Sequence, residues 1–410
     1  MTTELRVLRP EEWNQWFGCL ERAFGGVETP PQERAQDEAL TEHARSLGIW
    51  DGPDPVATAG AFTFRVTVPG GRAMPAAGVT MVSVAATHRR RGLLTSMMRR
   101  QLDDVRSWGE PLAVLTASEP AIYGRFGYGA ATRQMSLSID TARVRLDVPP
   151  GTDAVVLRHA RPEERVAACE SVYARLVPGR PGTPAHGPGW DRAPLLDPPA
   201  ARQGGSPLQC VLAERDGVLL GYVTFRTVPD WDASGPKGRV VVNGLGALDP
   251  VAYAALWRFL FSIDLMSTVE ARNRPLDDAV LHLVSDVRRC AIRVRDSLYV
   301  RLVELGAALE ARSYRAPVDV ALEVEDAFCP WNAGRWRLRA DGEGDASCVR
   351  TDAPAELALS VRELASAYLG GVSLMSLAAA GRVRELRPGA LEEASAAFSS
   401  AVEPWLPRGF

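Results

Sequence analysis

The sequence predicts a mixed α/β (α+β) protein in which one arrangement of helices and strands occurs twice and a third part follows. Residues 11–24, EEWNQWFGCLERAF, carry apolar side chains at helical spacing. Two strand-like runs, VATAGAFTFRVTV and AAGVTMVSVAA, flank the turn residues 69–71, PGG, which is typical of a β-hairpin. After the break at residues 149–151, PPG, the order strand, helix, hairpin, strand, helix follows. These three observations favour two similar domains in tandem.

Each further element follows from local patterns. After the hairpin, Leu93, Leu94, Met97 and Met98 begin a helical face, and LAVLTA, residues 112–117, is a short strand. In the second part, Asp216-Gly217 predicts a hairpin turn, and Asp249-Pro250 a helix start, while residues 178–207 form a long loop. SLYVRLVEL opens a third, mixed part. The expected domains are residues 1–147, 148–290 and 291–410.

Composition narrows the possible partners. The 410 residues carry 47 Lys and Arg against 50 Asp and Glu, a net charge of −3, which argues against binding to nucleic acid or to an anionic membrane. The six cysteines contain no CxxC pair and favour buried, reduced thiols over a zinc site. There is no apolar signal core and no apolar run of about 20 residues. We therefore expect a cytoplasmic protein without a metal.

The run VSVAATHRRRGLLTSMMRR, residues 82–100, places Arg89, Arg90, Arg91 and Gly92 just before a helix. Arginine is disfavoured at a helix N-terminus, where the dipole is positive. However, the four amides without intrahelical partners bind phosphates when a glycine lets the backbone approach. A pyrophosphate would then turn the arginines into ligands. On these four residues alone, a solvated basic turn remains the stronger interpretation.

Further residues strengthen a specific resemblance. RRRGLL resembles the acetyl-CoA loop Q/R-x-x-G-x-G/A of the GCN5-related N-acetyltransferases (GNATs), although Leu94 stands where Gly or Ala is usual. Together with SEPAIYGRFGYG, residues 118–129, and the terminal Phe410, it makes the whole chain similar to the Eis (enhanced intracellular survival) family. The resemblance implies a catalytic GNAT domain, a second, degenerate GNAT-like domain and a C-terminal domain resembling sterol carrier proteins. It also implies acetyl-CoA as cosubstrate, an amine acceptor and a homo-oligomer, a hexamer.

The resemblance assigns cofactor-binding residues by motif. Those along the pantetheine arm are Val82, Ser83 and Val84, because an exposed strand edge can bind an amide-bearing ligand as if it were another strand. Those at the pyrophosphate are Arg90, Arg91, Gly92, Leu93, Leu94 and Thr95. Those at the end of the next strand are Ser118 and Glu119. Val82 and Val84 also suit an ordinary core strand.

Two catalytic residues follow from the same resemblance. Tyr123 would be the proton donor, and the α-carboxylate of Phe410 the general base. Without the resemblance, Tyr123 is better read as a packing residue, and residue 410 as part of a frayed tail. The apolar neighbours Trp405 and Leu406 favour a docked tail instead.

The acceptor is less well defined by the sequence. The resemblance favours a primary amine on an aminoglycoside-like molecule, a polyamine or lysine, but Arg408 beside Phe410 argues against polyamines. Acids that could attract a cation are Glu28, Asp37, Glu38 and Glu42, which also suit a solvated helix face. A lipid carrier, or an acyl-CoA sensor with little turnover, is the alternative function. No cofactor is expected beside Asp249, where acid suits the helix dipole.

Overall fold

The structure is a computed structural model that describes residues 3–161, 163–342 and 344–410. It contains two compact units. The first comprises the chain up to Thr132, Ser297–Pro404 and Gly409–Phe410, and the second comprises Arg133–Asp296 and Trp405–Arg408. No helix in the described ranges is long and apolar enough to cross a membrane.

The N-terminal part of the first unit combines helices with a sheet whose strands are mostly antiparallel. Its elements are β1 (Glu4–Val7), α1 (Trp13–Ala23), α2 (Pro31–Leu40), β2 (Leu47–Asp51), β3 (Asp54–Thr67), β4 (Ala73–Val84), α3 (Leu93–Ser107), β5 (Leu112–Thr116), α4 (Pro120–Tyr123) and β6 (Gly129–Ala130). The β3–β4 hairpin turns at Gly70 and Gly71, which have φ values of 95° and 81°. That left-handed conformation favours glycine and explains the PGG signal.

The second unit is built around a sheet covered by a buried helix. Its elements are β7 (Arg133–Asp140), β8 (Val156–His159), α5 (Arg165–Leu176), β9 (Pro184–Ala185), β10 (Gln209–Arg215), β11 (Val218–Val228), β12 (Trp231–Asp232), β13 (Gly235–Pro236), β14 (Gly238–Ala247), α6 (Pro250–Phe261), β15 (Met266–Arg274), α7 (Val280–Leu283) and β16 (Arg293–Asp296). The strand order is β16-β7-β15-β14-β11-β10-β8, with β14 and β15 parallel. The hairpin turn at Asp216 and Gly217 has φ values of 53° and 76°, as a two-residue turn of this kind requires.

The rest of the first unit begins with a strand that completes the first sheet. Its elements are β17 (Leu298–Leu302), α8 (Leu305–Ala311), β18 (Val318–Glu325), β19 (Gly334–Ala340), β20 (Ala346–Arg350), β21 (Leu357–Ser360), α9 (Val361–Ala367), α10 (Leu374–Ala379), β22 (Val383–Glu385) and α11 (Ala390–Phe398). β17 lies between β5 and β6 in the order β1-β2-β3-β4-β5-β17-β6. A second sheet has the order β20-β19-β18-β21-β22. The mixed α/β class is confirmed.

Candidate active site

The site lies at one edge of the first sheet, because β4 and β5 run parallel and therefore end at the same edge. Their ladder pairs Ala76, Ala77 and Gly78 with residues 112–114. β4 then continues to Val84 and β5 to Thr116 outside this ladder. The two strands separate beyond Gly78, where the ladder ends, and the facing edge of β4 has no further ladder pairs with β5.

A β-bulge shapes this part of β4. The register to β3 shifts between Thr58↔Ser83 and Gly60↔Thr80, so β4 carries one extra residue. Met81 takes it up with a φ of 52°, and the Thr58 hydroxyl donates to its carbonyl at 2.7 Å. A bulge redirects the backbone of the following residues. The bulge could not be predicted from the sequence, because Met81 carries no turn signal.

The three residues expected at the pantetheine arm differ in exposure. Val82 and Val84 are half-buried and pack against the core beside α3. Ser83 is buried, with its hydroxyl 2.7 Å from that of Thr58. Side-chain contacts are thus directed into the protein, which leaves the backbone of β4 as the part suited to a ligand.

The arginine loop is exposed and carries unusual backbone angles. Arg90 has a φ of 62° and Gly92 a φ of 80°, and α3 begins at the next residue. Left-handed backbone is costly for arginine, and strain of this kind is often found at ligand-binding turns. The Arg91 guanidinium donates to the Thr87 carbonyl at 3.0 Å, whereas a side chain at Gly92 would meet open space.

The start of α3 fits a phosphate. Its N-cap makes no side-chain capping bond, and its first turn contains no acid. Leu93 and Leu94 are half-buried on the core side, while Thr95 is exposed. The first four amides of the helix have no intrahelical partner, and the exposed Arg90 and Arg91 directly precede Gly92, so donors of both kinds are available at this turn. These residues fit a pyrophosphate-bearing cosubstrate.

Tyr123 is the last residue of α4, the short helix that follows β5. Ser118 and Glu119 are exposed, α4 ends at Tyr123, and the backbone reverses at Gly127 with a φ of 83°. The Tyr123 ring is half-buried and meets the Tyr128 ring edge-on at 5.9 Å. Burial raises the pKa of the Tyr123 phenol, and the Glu119 carboxylate adds to the rise. The phenol is therefore protonated at neutral pH.

The chain end is docked, as its apolar residues predicted. The Phe410 ring meets the buried Phe64 ring edge-on at 4.8 Å. Phe64 lies over Gly78, where an added Cβ would be 2.4 Å from the ring. An added Cβ on Gly409 would lie 3.6 Å from the Thr116 hydroxyl. Residues 409 and 410 therefore lie where β4 and β5 separate.

The four candidate acids are not gathered into one cluster by any described contact. Glu42 is engaged with the amide and hydroxyl of Thr63, at 2.6 and 2.7 Å. Glu28 and Glu38 are exposed. Burial, with help from Glu33, raises the pKa of Asp37 to about 6. The described residues also contain no group of three His, Cys, Asp or Glu side chains that could hold a metal.

The second unit starts its corresponding helix differently. The Asp249 carboxylate accepts from the Ala252 amide at 2.7 Å and pairs with Arg215 at 2.8 Å. The parallel ladder of β14 and β15 reaches from Gly238 to Val242. An acid already caps this helix, so we keep the prediction that no cofactor binds there.

Three parts of the chain match known domain families. Acetyltransferase (GNAT) domain families match residues 4–131 and 186–302, and a sterol carrier protein domain family matches residues 305–407. These matches define a chain with two GNAT domains and a sterol-carrier-like domain, as expected.

Relatives extend this match over the whole chain. A Streptomyces avermitilis protein described as an uncharacterized N-acetyltransferase is 70% identical and covers 100% of both chains. The N-acetyltransferase Eis of Mycobacterium tuberculosis is 37% identical over 98% of both. The crystal structure of Eis1 from Mycobacterium abscessus is 33% identical, with a TM-score of 0.85 and full coverage. The chain belongs to the Eis-like family of GNAT N-acetyltransferases, and it is an acetyl-CoA-dependent acetyltransferase that acts on an amine acceptor.

Proposed function

We propose that the acetyl group is transferred where β4 and β5 separate, to a primary amine of an aminoglycoside-like molecule, a polyamine or a lysine side chain. The observation that carries this proposal is the docking of Phe410 against Phe64, beside the gap that begins at Gly78. It brings the end of the chain to the edge of the sheet from which the Tyr123 turn also starts.

The chain's backbone and arginines bind the cosubstrate in this proposal. The amides and carbonyls of Val82, Ser83 and Val84 pair with the pantetheine amides. Arg90 and Arg91, with the amides of residues 92–95, hold the pyrophosphate through charge-assisted bonds. Ser118 and Glu119 contact the cosubstrate from the end of β5. The φ of 80° at Gly92 supports the close approach that this requires.

Tyr123 stabilises the leaving group. The neutral amine nitrogen attacks the thioester carbon, the carbon–sulfur bond breaks and sulfur takes its electron pair, while the nitrogen loses one proton through water. A thiol has a pKa of about 8.5 and a phenol about 10, so full proton transfer from tyrosine is uphill by about 2 kcal/mol. The raised pKa of Tyr123 increases this cost. Its main contribution is therefore a hydrogen bond to the developing thiolate.

The Phe410 carboxylate acts on the amine. With ordinary pKa values of about 3.5 and 10.4, direct proton removal from an ammonium is uphill by roughly 9 kcal/mol. We therefore propose that the carboxylate attracts and orients the ammonium, and that a water molecule relays the proton. Water takes the first proton before attack, and the carboxylate then stabilises the positive charge that the nitrogen regains as it bonds to the thioester carbon.

A thiol-release assay with acetyl-CoA tests the proposal. Aminoglycosides, polyamines and lysine peptides are offered in turn, and mass spectrometry identifies the acetylated nitrogen. Turnover with at least one class supports the proposal. Thiol release no faster than without amine, across all three classes, refutes it and favours the sensor or lipid-carrier alternative, for which co-purified lipid is then assayed.

Two further parts of the proposal concern organisation. The resemblance supports a homo-oligomer, a hexamer, which light scattering of the purified protein tests directly. The division into residues 1–147, 148–290 and 291–410 also stays a proposal, and limited proteolysis with mass mapping of the stable fragments tests it.

A further inference from the structure

The glycines of SEPAIYGRFGYG face the part of the chain that follows residue 296. An added Cβ on Gly124 would lie 2.9 Å from the Arg362 guanidinium carbon, and one on Gly127 would lie 2.7 Å from that of Arg301. An added Cβ on Gly129 would lie 2.2 Å from the Arg362 carbonyl oxygen. Each glycine therefore leaves room for a residue of the later segment.

Gly124 is the most informative of these glycines. Gly127 needs glycine for its backbone as well, since its φ is 83°. Gly124 has a φ of −57° and a ψ of −34°, which any residue adopts. The contact that a side chain would disturb there is with Arg362. Gly124 directly follows Tyr123 in the chain, so the contact lies next to the tyrosine.

Arg362 is presented by a well-anchored helix. α9 packs on β6 and β17, and Val361, Leu364 and Ala365 are buried. The Ser360 hydroxyl caps the helix by accepting from the Arg362 amide at 3.2 Å. The arginine side chain is exposed at the surface. Among the described residues, no carboxylate forms an ion pair with it.

We propose that Arg362 is a positioning residue for Tyr123: its guanidinium, packed against the backbone of Gly124, holds the turn that presents the phenol. This inference rests on the proposed function of Tyr123. It gives the sterol-carrier-like domain a role in acetyl transfer that requires no lipid. The Arg guanidinium is planar and more weakly hydrated than the Lys ammonium, so arginine packs against this backbone at a lower cost than lysine would.

The test compares full-length variants in the thiol-release assay. Arg362→Ala is expected to lower kcat roughly 10-fold or more, because small misplacements of catalytic groups are costly. The KM for acetyl-CoA and the melting temperature should stay unchanged, since the side chain is exposed. Arg362→Lys should recover part of the lost kcat. Arg384→Ala, another exposed arginine of the same domain, is the control and should keep full activity.

Gly124→Ala is a second variant that leaves the charge in place. Its Cβ displaces only the flexible end of Arg362, so the fold is retained and kcat should fall as in Arg362→Ala. In the double variant the two losses should not add, because the displaced group is already absent. Additive losses would overturn the proposal.

A Tyr123→Phe background separates the two proposals. There, adding Arg362→Ala should change kcat less than twofold if Arg362 acts through Tyr123. Wild-type kcat in Arg362→Ala, beside a strongly impaired Tyr123→Phe, overturns the positioning role alone. Wild-type kcat in Tyr123→Phe removes the proposed role of Tyr123, and the positioning role with it.

Discussion

Adding one glycine after Phe410 should impair catalysis while leaving the fold intact. The Phe410 ring can keep its edge-on contact with Phe64, but the α-carboxylate moves by one residue, about 3.8 Å. At an effective dielectric constant of about 20, the attraction between the carboxylate and the positively charged nitrogen of the transition state falls from about 4 kcal/mol at 4 Å to about 2 kcal/mol near 8 Å. The lost 2 kcal/mol corresponds to roughly 30-fold in kcat/KM for the amine.

A companion variant separates the charge from the ring. Phe410→Ala keeps a terminal carboxylate but removes an aromatic pair worth about 0.5–1.5 kcal/mol beyond its buried area. We expect a loss of at most about 12-fold from this term, because the docked fraction of the tail falls by no more than its docking constant does. Both variants are assayed by thiol release, with melting temperature and acetyl-CoA KM as controls. Full activity of the glycine-extended protein would refute the role of the carboxylate.

Three other predictions concern the loop, the proton donor and an unusual acid. Arg90→Ala and Arg91→Ala should each raise the KM for acetyl-CoA roughly 10- to 100-fold, which corresponds to the loss of one charged hydrogen bond. Arg100→Ala is the control and should leave this KM unchanged, because it only breaks an ion pair with Asp104 on the same helix. Tyr123→Phe should lower kcat about 10²- to 10³-fold. Because the Tyr123 pKa is raised, the wild-type kcat should not fall through ionisation of this phenol at any pH up to 9. A Tyr123-dependent fall of kcat below pH 9 would contradict the assignment. Asp37→Asn should raise the melting temperature at pH 7.5 but not at pH 3. The folded-state pKa of Asp37 is raised to about 6, so the folded protein loses stability as the pH rises through that value and the carboxyl group ionises. Equal changes in melting temperature at both pH values would argue against this reasoning.

The candidate site could be predicted where it depends on local sequence. The hairpin turn PGG, the Asp249 cap and the Arg-Gly loop each have short-range signals, and each is found at its expected residues. The bulge at Met81 and the contact between Arg362 and Gly124 have no short-range signal in the sequence. Both arise from pairing or packing with residues distant in the chain, which periodicity does not record.

The sequence by itself determined the mixed α/β class, the repeated order of elements and the arginine loop that precedes α3. These follow from hydrophobic spacing, turn residues and helix-start chemistry, which act within a few residues. Only the tertiary structure decided that β17 completes the first sheet and that Phe410 docks beside Gly78. A strand buried on both sides can pair with any open edge of matching length, and the chain end can dock on any apolar surface within reach. The choice between partners is made by packing, because the free energy of burial depends on the complete fold.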